Sequence, residues 1–270
     1  MNIGIFLNLD NNKSLLCVDK LVHISKKLKN INIFLEIYFF NKYKDLNNLF
    51  FIKSTKEILK LSDILFVVGG DGTILKYSKI IYKHKKLILG INTGRVGFIT
   101  SIKAKDIKPN FFDLINNYVL DSRMTICAKS EFYSVDFALN DIVLTRTLDS
   151  QIVDFEILKN NKKICEYRAD GVIISTPTGS TAYSLSAGGP IIDLNLDCVV
   201  ITPICANNSM SRSLVLSLTS IIEINYILRT NSKICILSDG QKILESEVSA
   251  NIKIKKNVER INLIKILKNV

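Results

Sequence analysis

The sequence holds only two histidines, His23 and His84, and no two cysteines separated by two residues. Its six cysteines are Cys17, Cys127, Cys165, Cys198, Cys205 and Cys235. None has zinc-ligand spacing with either histidine. Several sit in apolar runs such as Asp197-Cys198-Val199-Val200 and read as small buried hydrophobes, reduced in a cytosolic setting. No apolar stretch approaches the ~20 residues that cross a bilayer. The first ten residues lack a basic leader and reach Asp10 quickly, so no signal peptide is expected. Internal repeats and low-complexity linkers are also missing. A soluble, cytoplasmic protein with no membrane partner is the expectation. No RRM, KH or helix-turn-helix signature is visible, which speaks against nucleic acid as the partner.

What is present is a chain of 270 residues, 47% hydrophobic, with a formal net charge of +11. That hydrophobic share can bury a core and is incompatible with disorder. The lysines are scattered, with short runs at Lys83-His84-Lys85-Lys86 and Lys253-Ile254-Lys255-Lys256. A basic field of this kind favours polyphosphate ligands without proving them.

Strand and helix signals alternate over the first hundred residues. Strands are expected at 2–9, 33–39, 64–68 and 87–91, with helices at 14–29, 55–61 and after Gly72. Such alternation predicts an α/β domain with a parallel sheet. Another helical stretch is expected over 104–119. Beyond 122 the texture changes to short strands, at 152–158, 162–168, 171–175, 221–228, 233–237 and 252–256. Asn160-Asn161 suits a hairpin turn between the first two. This half reads as an all-β, sandwich-like domain. The expected division is 1–110 for the α/β domain and 111–270 for the β domain, closely packed with a cleft between them, the extreme C-terminus returning to the first.

Three segments carry chemistry. In Val67-Val68-Gly69-Gly70-Asp71-Gly72-Thr73, an apolar strand runs into three glycines around one carboxylate. Glycine permits positive φ and close approach of backbone to a ligand. A helix beginning there aims free N–H groups at an anion. The GxxxxGK[ST] lysine of a P-loop is absent. The second segment, Asn92-Thr93-Gly94-Arg95-Val96-Gly97-Phe98, again follows a strand. The third runs from Arg168 and Asp170 through Thr176-Pro177-Thr178-Gly179-Ser180-Thr181-Ala182-Tyr183-Ser184-Leu185-Ser186 to Gly188-Gly189-Pro190. Its hydroxyls and amides suit ribose and phosphate oxygens, and Tyr183 offers a stacking face. A small helix is expected over 180–186. Asn140-Asp141 and Asp239-Gly240-Gln241 alone read as turn or edge features.

Together these residues resemble the NAD kinase family, which phosphorylates the 2′-hydroxyl of the adenosine ribose of NAD. The resemblance runs in order over nearly the whole chain. The GGDGT turn alone is shared with diacylglycerol and sphingosine kinases; the 170–190 block is far more specific. The resemblance implies ATP as phosphoryl donor, a divalent cation such as Mg²⁺ without an assigned protein ligand, and a homo-oligomer, dimer or tetramer. It implies that Asp71 is the general base, and that Gly69, Gly70, Gly72 and Thr73 meet phosphate. It further implies that NAD is bound by Asp71, Gly72, Asn92, Asn140, Asp141, Gln151, Arg168, Asp170, Thr181, Ala182, Tyr183, Ser184, Ser186 and Gln241. Three departures stand out. Asp141 occupies a position where the family often has Glu. Ala206-Asn207 stands where Pro-His is usual. The chain stops at Val270, where many members continue into a tail that packs back on the first domain. The rival readings are a lipid kinase sharing the GGDGT turn, and a non-catalytic nucleotide- or nucleic-acid-binding protein suggested by the charge.

Overall fold

The computed structural model describes residues 1–94, 97–115, 117–207 and 211–266. The chain divides into two units, residues 1–122 together with the stretch from 261, and residues 123–260.

The first unit opens with strand β1 (Asn2–Leu7) and helix α1 (Asn12–Ser25). The Asn11 side chain caps α1 by accepting the Lys13 N–H. Strand β2 (Asn32–Glu36) is shorter than its apolar run. The chain leaves the sheet after Glu36 for a 3₁₀ turn, Ile37–Phe39, and helix α2 (Phe40–Tyr43). The helical path brings Phe39 over Tyr43, four residues on, where the rings stack with centroids 6.1 Å apart. An extended strand could not make that contact. Strand β3 (Leu49–Ile52), helix α3 (Thr55–Leu61), strand β4 (Ile64–Gly69), helix α4 (Asp71–Lys83), strand β5 (Leu87–Asn92) and strand β6 (Ile102–Lys103) follow. Every residue of β4 is buried, as expected of a strand covered on both faces.

The helix expected over 104–119 does not form. A 3₁₀ turn at Ala104–Asp106 and helix α5 (Phe111–Leu114) take its place, followed by strand β7 (Tyr118–Arg123). Pro109 lies between the two turns, and proline excludes the preceding residue from helical geometry.

Among the described residues, eight strands form one sheet. Its order is β3-β2-β1-β4-β5, then the C-terminal strand Ile261–Ile266, then β7, with β6 on β5. Pairing from β3 through to the C-terminal strand is parallel. The sequence order reverses between β1 and β4. At such a switch point the connections diverge, leaving a crevice beyond the carboxyl ends of the strands. This chain has its own returning segment, because Leu263 sits opposite Ile88 of β5 and Ile264 is fully buried in the core of the first unit.

The second unit holds strands β8 (Ile126–Lys129), β9 (Ser134–Ala138), β10 (Asp141–Arg146), β11 (Val153–Lys159), β12 (Lys162–Ala169) and β13 (Gly171–Ser175). After helix α6 (Tyr183–Ser186) come β14 (Cys198–Ile204), β15 (Leu214–Ser217), β16 (Ile222–Ile227), β17 (Ile234–Ser238), β18 (Gln241–Ser246) and β19 (Ala250–Lys256). Among the described residues they form two antiparallel six-stranded sheets, β15-β14-β13-β10-β17-β18 and β12-β11-β16-β19-β8-β9. Val153, Phe155 and Ile157 of one sheet share a core with Ile142, Leu144 and Ile174 of the other. This is the sandwich that the alternating pattern predicts. Asn160 and Asn161 take φ of 51° and 63°, the paired left-handed residues of a tight β11–β12 hairpin.

Candidate active site

In the first unit the reactive features gather at the carboxyl ends of β4 and β5. Gly70 precedes α4, so Asp71 is the first residue of that helix. The N–H groups of Asp71 and Gly72 lie in the first turn, where no intrahelical acceptor exists. Positive charge therefore concentrates there. Gly70 and Gly72 face open space. With Asn8, Thr73 and Lys76 they line a cavity of about 340 Å³ at the switch point.

None of the three glycines in the turn has positive φ, contrary to one of the two reasons for expecting them. The other reason, close approach, explains Gly69. A side chain there would lie 2.1 Å from Thr73 Oγ1. Thr73 is thus folded inward against Gly69 and buried.

The Asp71 carboxylate turns onto the loop that follows β5. It accepts N–H groups from Phe98 at 2.7 Å, Ile99 at 3.2 Å and Thr100 at 3.3 Å. Gly97 makes this possible, because a Cβ there would sit 2.2 Å from Asp71 Oδ1. A carboxylate has about four lone-pair sites, so three accepted bonds leave one for a further proton. Asn92 is buried and builds the same loop. Its amide donates to Thr100 Oγ1 at 3.0 Å and its carbonyl accepts from the Gly94 N–H at 2.7 Å. Arg95 and Val96 of this motif lie outside the described residues.

In the second unit, Asn140 and Asp141 enter β10 beside the β17–β18 hairpin. Asp239 and Gly240 form that turn with φ of 50° and 75°. The Asp239 carboxylate accepts the N–H groups of Leu139, Asn140 and Asp141 at 2.9, 2.7 and 3.2 Å. The Asn140 carbonyl accepts the Thr176 N–H at 2.8 Å. A side chain at Gly179 would lie 2.1 Å from the same carbonyl oxygen. Asn140 is therefore clamped between Asp239 and the 176–179 turn. Its side-chain oxygen is buried with no hydrogen-bond partner. Buried polar atoms are nearly always satisfied, so this oxygen is able to accept a further N–H or O–H. Burial, and then the neighbouring Asp239 carboxylate, push Asp141 up to about 7. Burial also pushes Asp239 up, opposed by its three N–H bonds.

The remaining predicted residues separate. The Asp170 carboxylate pairs with Arg146 Nε at 2.6 Å. Arg146 also donates to the carbonyls of Thr147 and Ser150, fixing the turn before Gln151. Arg168 reaches Asp154 at 3.8 Å, on the adjoining strand β11. Gln151, Tyr183, Ser186 and Gln241 are exposed. Thr181 Oγ1 donates to the Thr178 carbonyl at 3.2 Å, and Ala182 is half-buried. Ser184 is fully buried, its hydroxyl bonded to Thr202 Oγ1 at 2.9 Å, so its side chain faces the interior. The helix expected over 180–186 is split into a 3₁₀ turn, Gly179–Thr181, and α6. Asn207, at the position of the usual histidine, donates its N–H to the Arg168 carbonyl at 2.8 Å. Residues 208–210 of that segment lie outside the described ones.

Comparison with known proteins decides the family. Residues 8–119 match the ATP-NAD kinase N-terminal domain and residues 139–266 the ATP-NAD kinase C-terminal domain. The chain belongs to the ATP-NAD kinase family. An NAD kinase of Caldanaerobacter subterraneus is 40% identical over 79% of this chain and 77% of its own length. An NAD kinase of Legionella pneumophila is 37% identical over 75% of this chain and 70% of its own. Solved structures share the fold. A yeast NADH kinase complexed with NADH matches with TM-score 0.86 at 23% identity, over 100% of this chain and 84% of that one. An NAD kinase from Archaeoglobus fulgidus in complex with ATP gives 0.75 at 24%, over 98% and 94%. Asp71 lies within the residues that match the N-terminal domain.

Sequence reasoning missed Asp239 and Arg146. The Asp-Gly dipeptide at 239–240 marked a turn, but nothing local showed that its carboxylate holds amides about a hundred residues earlier. Arg146 had no motif around it at all.

Proposed function

We propose that this chain transfers the γ-phosphate of ATP to the 2′-hydroxyl of the adenosine ribose of NAD, giving NADP and ADP. The observation that carries the reading is the match of both family domains, one of them containing Asp71 in its turn. The relatives named NAD kinase support the acceptor, and the archaeal structure with ATP supports the donor.

Each unit contributes residues with a chemical fit to this reaction. Phosphoryl transfer needs positioning and neutralisation of charge. The open N–H groups of Asp71 and Gly72 and the exposed backbone at Gly70 suit phosphate oxygens. Asp71 retains a lone pair to accept the ribose hydroxyl proton as the P–O bond forms. In the second unit, the unpartnered Asn140 oxygen suits an N–H donor such as an amino group of a base. Asp141, with its raised pKa, can accept from or donate to sugar hydroxyls near neutral pH. Tyr183 and Gln241 present an aromatic and a polar group on the surface of the same unit, and Asp170 is half-buried against Arg146. No three His, Cys, Asp or Glu side chains gather among the described residues. A Mg²⁺ ion in this reading would be held mainly by the substrate's phosphates, with no protein ligand assigned. Such an ion would neutralise charge on the transferring group. Assembly as a homo-oligomer belongs to the same reading, and light scattering on the purified protein tests it.

Incubating the purified chain with Mg-ATP and NAD, then measuring NADP, tests the assignment. NADP formation dependent on both substrates is expected. No NADP with any nucleotide or polyphosphate donor, but phosphorylation of diacylglycerol in vesicles, would transfer the chain to the lipid-kinase reading.

A further inference from the structure

Among the described residues of the first unit, three buried serines lie on helices: Ser14 and Ser25 on α1 and Ser78 on α4. Two of them bond within their own helix. Ser25 donates to the Val22 carbonyl at 2.9 Å and Ser78 to the Leu75 carbonyl at 2.8 Å. A buried helical hydroxyl ordinarily finds its partner this way, three or four residues back. Ser14 does something else. It is fully buried in the first turn of α1, and its Oγ lies 2.9 Å from Thr93 Oγ1, 79 residues along the chain. Asn11, the cap of α1, makes a longer contact with the same oxygen, its amide donating at 3.5 Å.

Thr93 is itself tied to the turn that carries Asp71. Its N–H donates to the Gly69 carbonyl at 3.0 Å, one rung beyond the Gly69–Asn92 pair that ends the β4–β5 ladder. Gly69 stands two residues before Asp71, so this rung fixes the chain where it enters the turn. The neighbouring Asn92 side chain holds Thr100 through its hydroxyl, and the Thr100 N–H grips the Asp71 carboxylate. Asn92 and Thr93 thus join the turn to the amides that clasp its carboxylate. The helices on either side cover opposite faces of the sheet. Cys17, Val18 and Leu21 of α1 share a core with Leu89 and Ile91 of β5. A Cβ at the intervening Gly90 would instead lie 2.6 Å from Ile74 of α4. The contact between Ser14 and Thr93 therefore lets α1, on the far face, bear on the residues that place the head of α4.

We propose that Ser14 is a positioning residue of the phosphoryl transfer: through the Thr93 hydroxyl it holds the Gly69 rung, and so keeps the Asp71 carboxylate aligned with the acceptor hydroxyl. The role of Asp71 as base rests on the function proposed above; the joint between Ser14 and Thr93 does not. Without either hydroxyl, the end of β5 is free to shift against α1 and to carry the clasp with it. Small displacements matter here, since a misplacement of about 1 Å can cost roughly 10²-fold in rate. The test compares Ser14→Ala, Thr93→Val and the double variant with Thr93→Ser, which keeps the hydroxyl. Ser25→Ala is the control, removing a buried hydroxyl from the same helix. Kinetics with Mg-ATP and NAD are measured well below each unfolding temperature. S14A and T93V should each lower kcat roughly tenfold, with the KM values for NAD and ATP within about twofold of wild type. The double variant should fall no further than the worse single one, because the two hydroxyls act as one joint. T93S should keep the wild-type kcat, and S25A should lose stability alone. Hydrogen exchange read by mass spectrometry follows the same joint without turnover. The peptide carrying the Phe98, Ile99 and Thr100 amides should exchange faster in S14A and T93V than in wild type or S25A. T93V carries the test if S14A does not fold. Wild-type kcat in S14A and T93V overturns the proposal. An equal fall in S25A also overturns it, by making the effect one of stability. A wild type that makes no NADP defeats the functional reading, and exchange at the three amides still decides the joint.

Discussion

Asp71 and Asp239 make the same clasp in different surroundings. Each carboxylate gathers three consecutive backbone N–H groups, Phe98 to Thr100 in one unit and Leu139 to Asp141 in the other. Asp71 is half-buried at the head of a 13-residue helix, with glycines around it open to solvent. Asp239 is in a hairpin turn, turned inward against a second carboxylate. Identical bonding therefore does not give identical chemistry. The Asp71 clasp leaves a lone pair beside open glycines, whereas the Asp239 clasp fixes Asn140 and Asp141, the residues proposed to bind the substrate. Their neighbours, rather than their hydrogen bonds, separate the two carboxylates: open glycines flank Asp71, and the Asp141 carboxylate faces Asp239.

The sharpest way to break this contrast is to substitute both acids. Asp71→Ala should lower kcat by roughly 10²–10⁴-fold, the usual worth of a general base. Asp239→Ala should instead destabilise the second unit by about 3 kcal/mol, since it strands buried N–H groups. Steady-state kinetics and denaturant titration on both variants check the pair. A kcat collapse in neither, or equal loss of stability in both, would show that the clasps are equivalent. Asp71→Asn is a poorer probe, because its amide would present a donor to backbone donors and loosen the 97–100 loop.

A finer comparison uses the glycine beneath each site. Gly179→Ala drives a methyl into the Asn140 carbonyl, a backbone atom that cannot retreat. A loss of about 2–3 kcal/mol by thermal or denaturant unfolding is expected. Gly97→Ala meets the end of the Asp71 side chain, which can swing away. Its stability should change by less, about 1 kcal/mol, while kcat falls because the carboxylate is displaced. A Gly97→Ala enzyme with full activity would mean that the position of Asp71 is not critical.

A further contrast is in pH. Asp141 has a folded pKa raised from the ordinary 3.8 to about 7. Between those values the folded state holds the proton that the unfolded state has lost. Stability must then fall as pH rises through this window, by at most about 1.4 kcal/mol per pH unit. Asp141→Asn should flatten that decline, and unfolding measured at pH 4, 5.5 and 7 reads it directly. Parallel pH profiles for variant and wild type would show that Asp141 is not the titrating group.

The two clasps also differ in how far they could be read from residues alone. The turn that carries Asp71 was legible because its parts adjoin, an apolar strand, glycines and an acid within seven positions, but its bonds to the Phe98, Ile99 and Thr100 N–H groups were not. The sandwich was legible from two-residue alternation, as in Val153, Phe155 and Ile157. The Asp239 clasp was illegible because its partners are about a hundred residues away and its carboxylate meets only backbone. Backbone amides leave no trace in residue identity. The shortened β2 and the missing helix at 104–119 failed for local reasons. An aromatic contact that needs helical spacing ended the first, and Pro109 interrupted the second.

The C-terminal strand Ile261–Ile266 has a consequence for how the chain comes off the ribosome. Its place beside β5 means that one row of backbone partners for β5 is translated only after the entire second unit. Synthesis proceeds from the N-terminus, and domains ordinarily fold in that order. Here the first unit to emerge keeps an open sheet edge until the final strand arrives, while the second unit can close on its own residues. The earliest-made half is therefore the last to be sealed, and its exposed edge is the place where a stalled or shortened chain would pair wrongly.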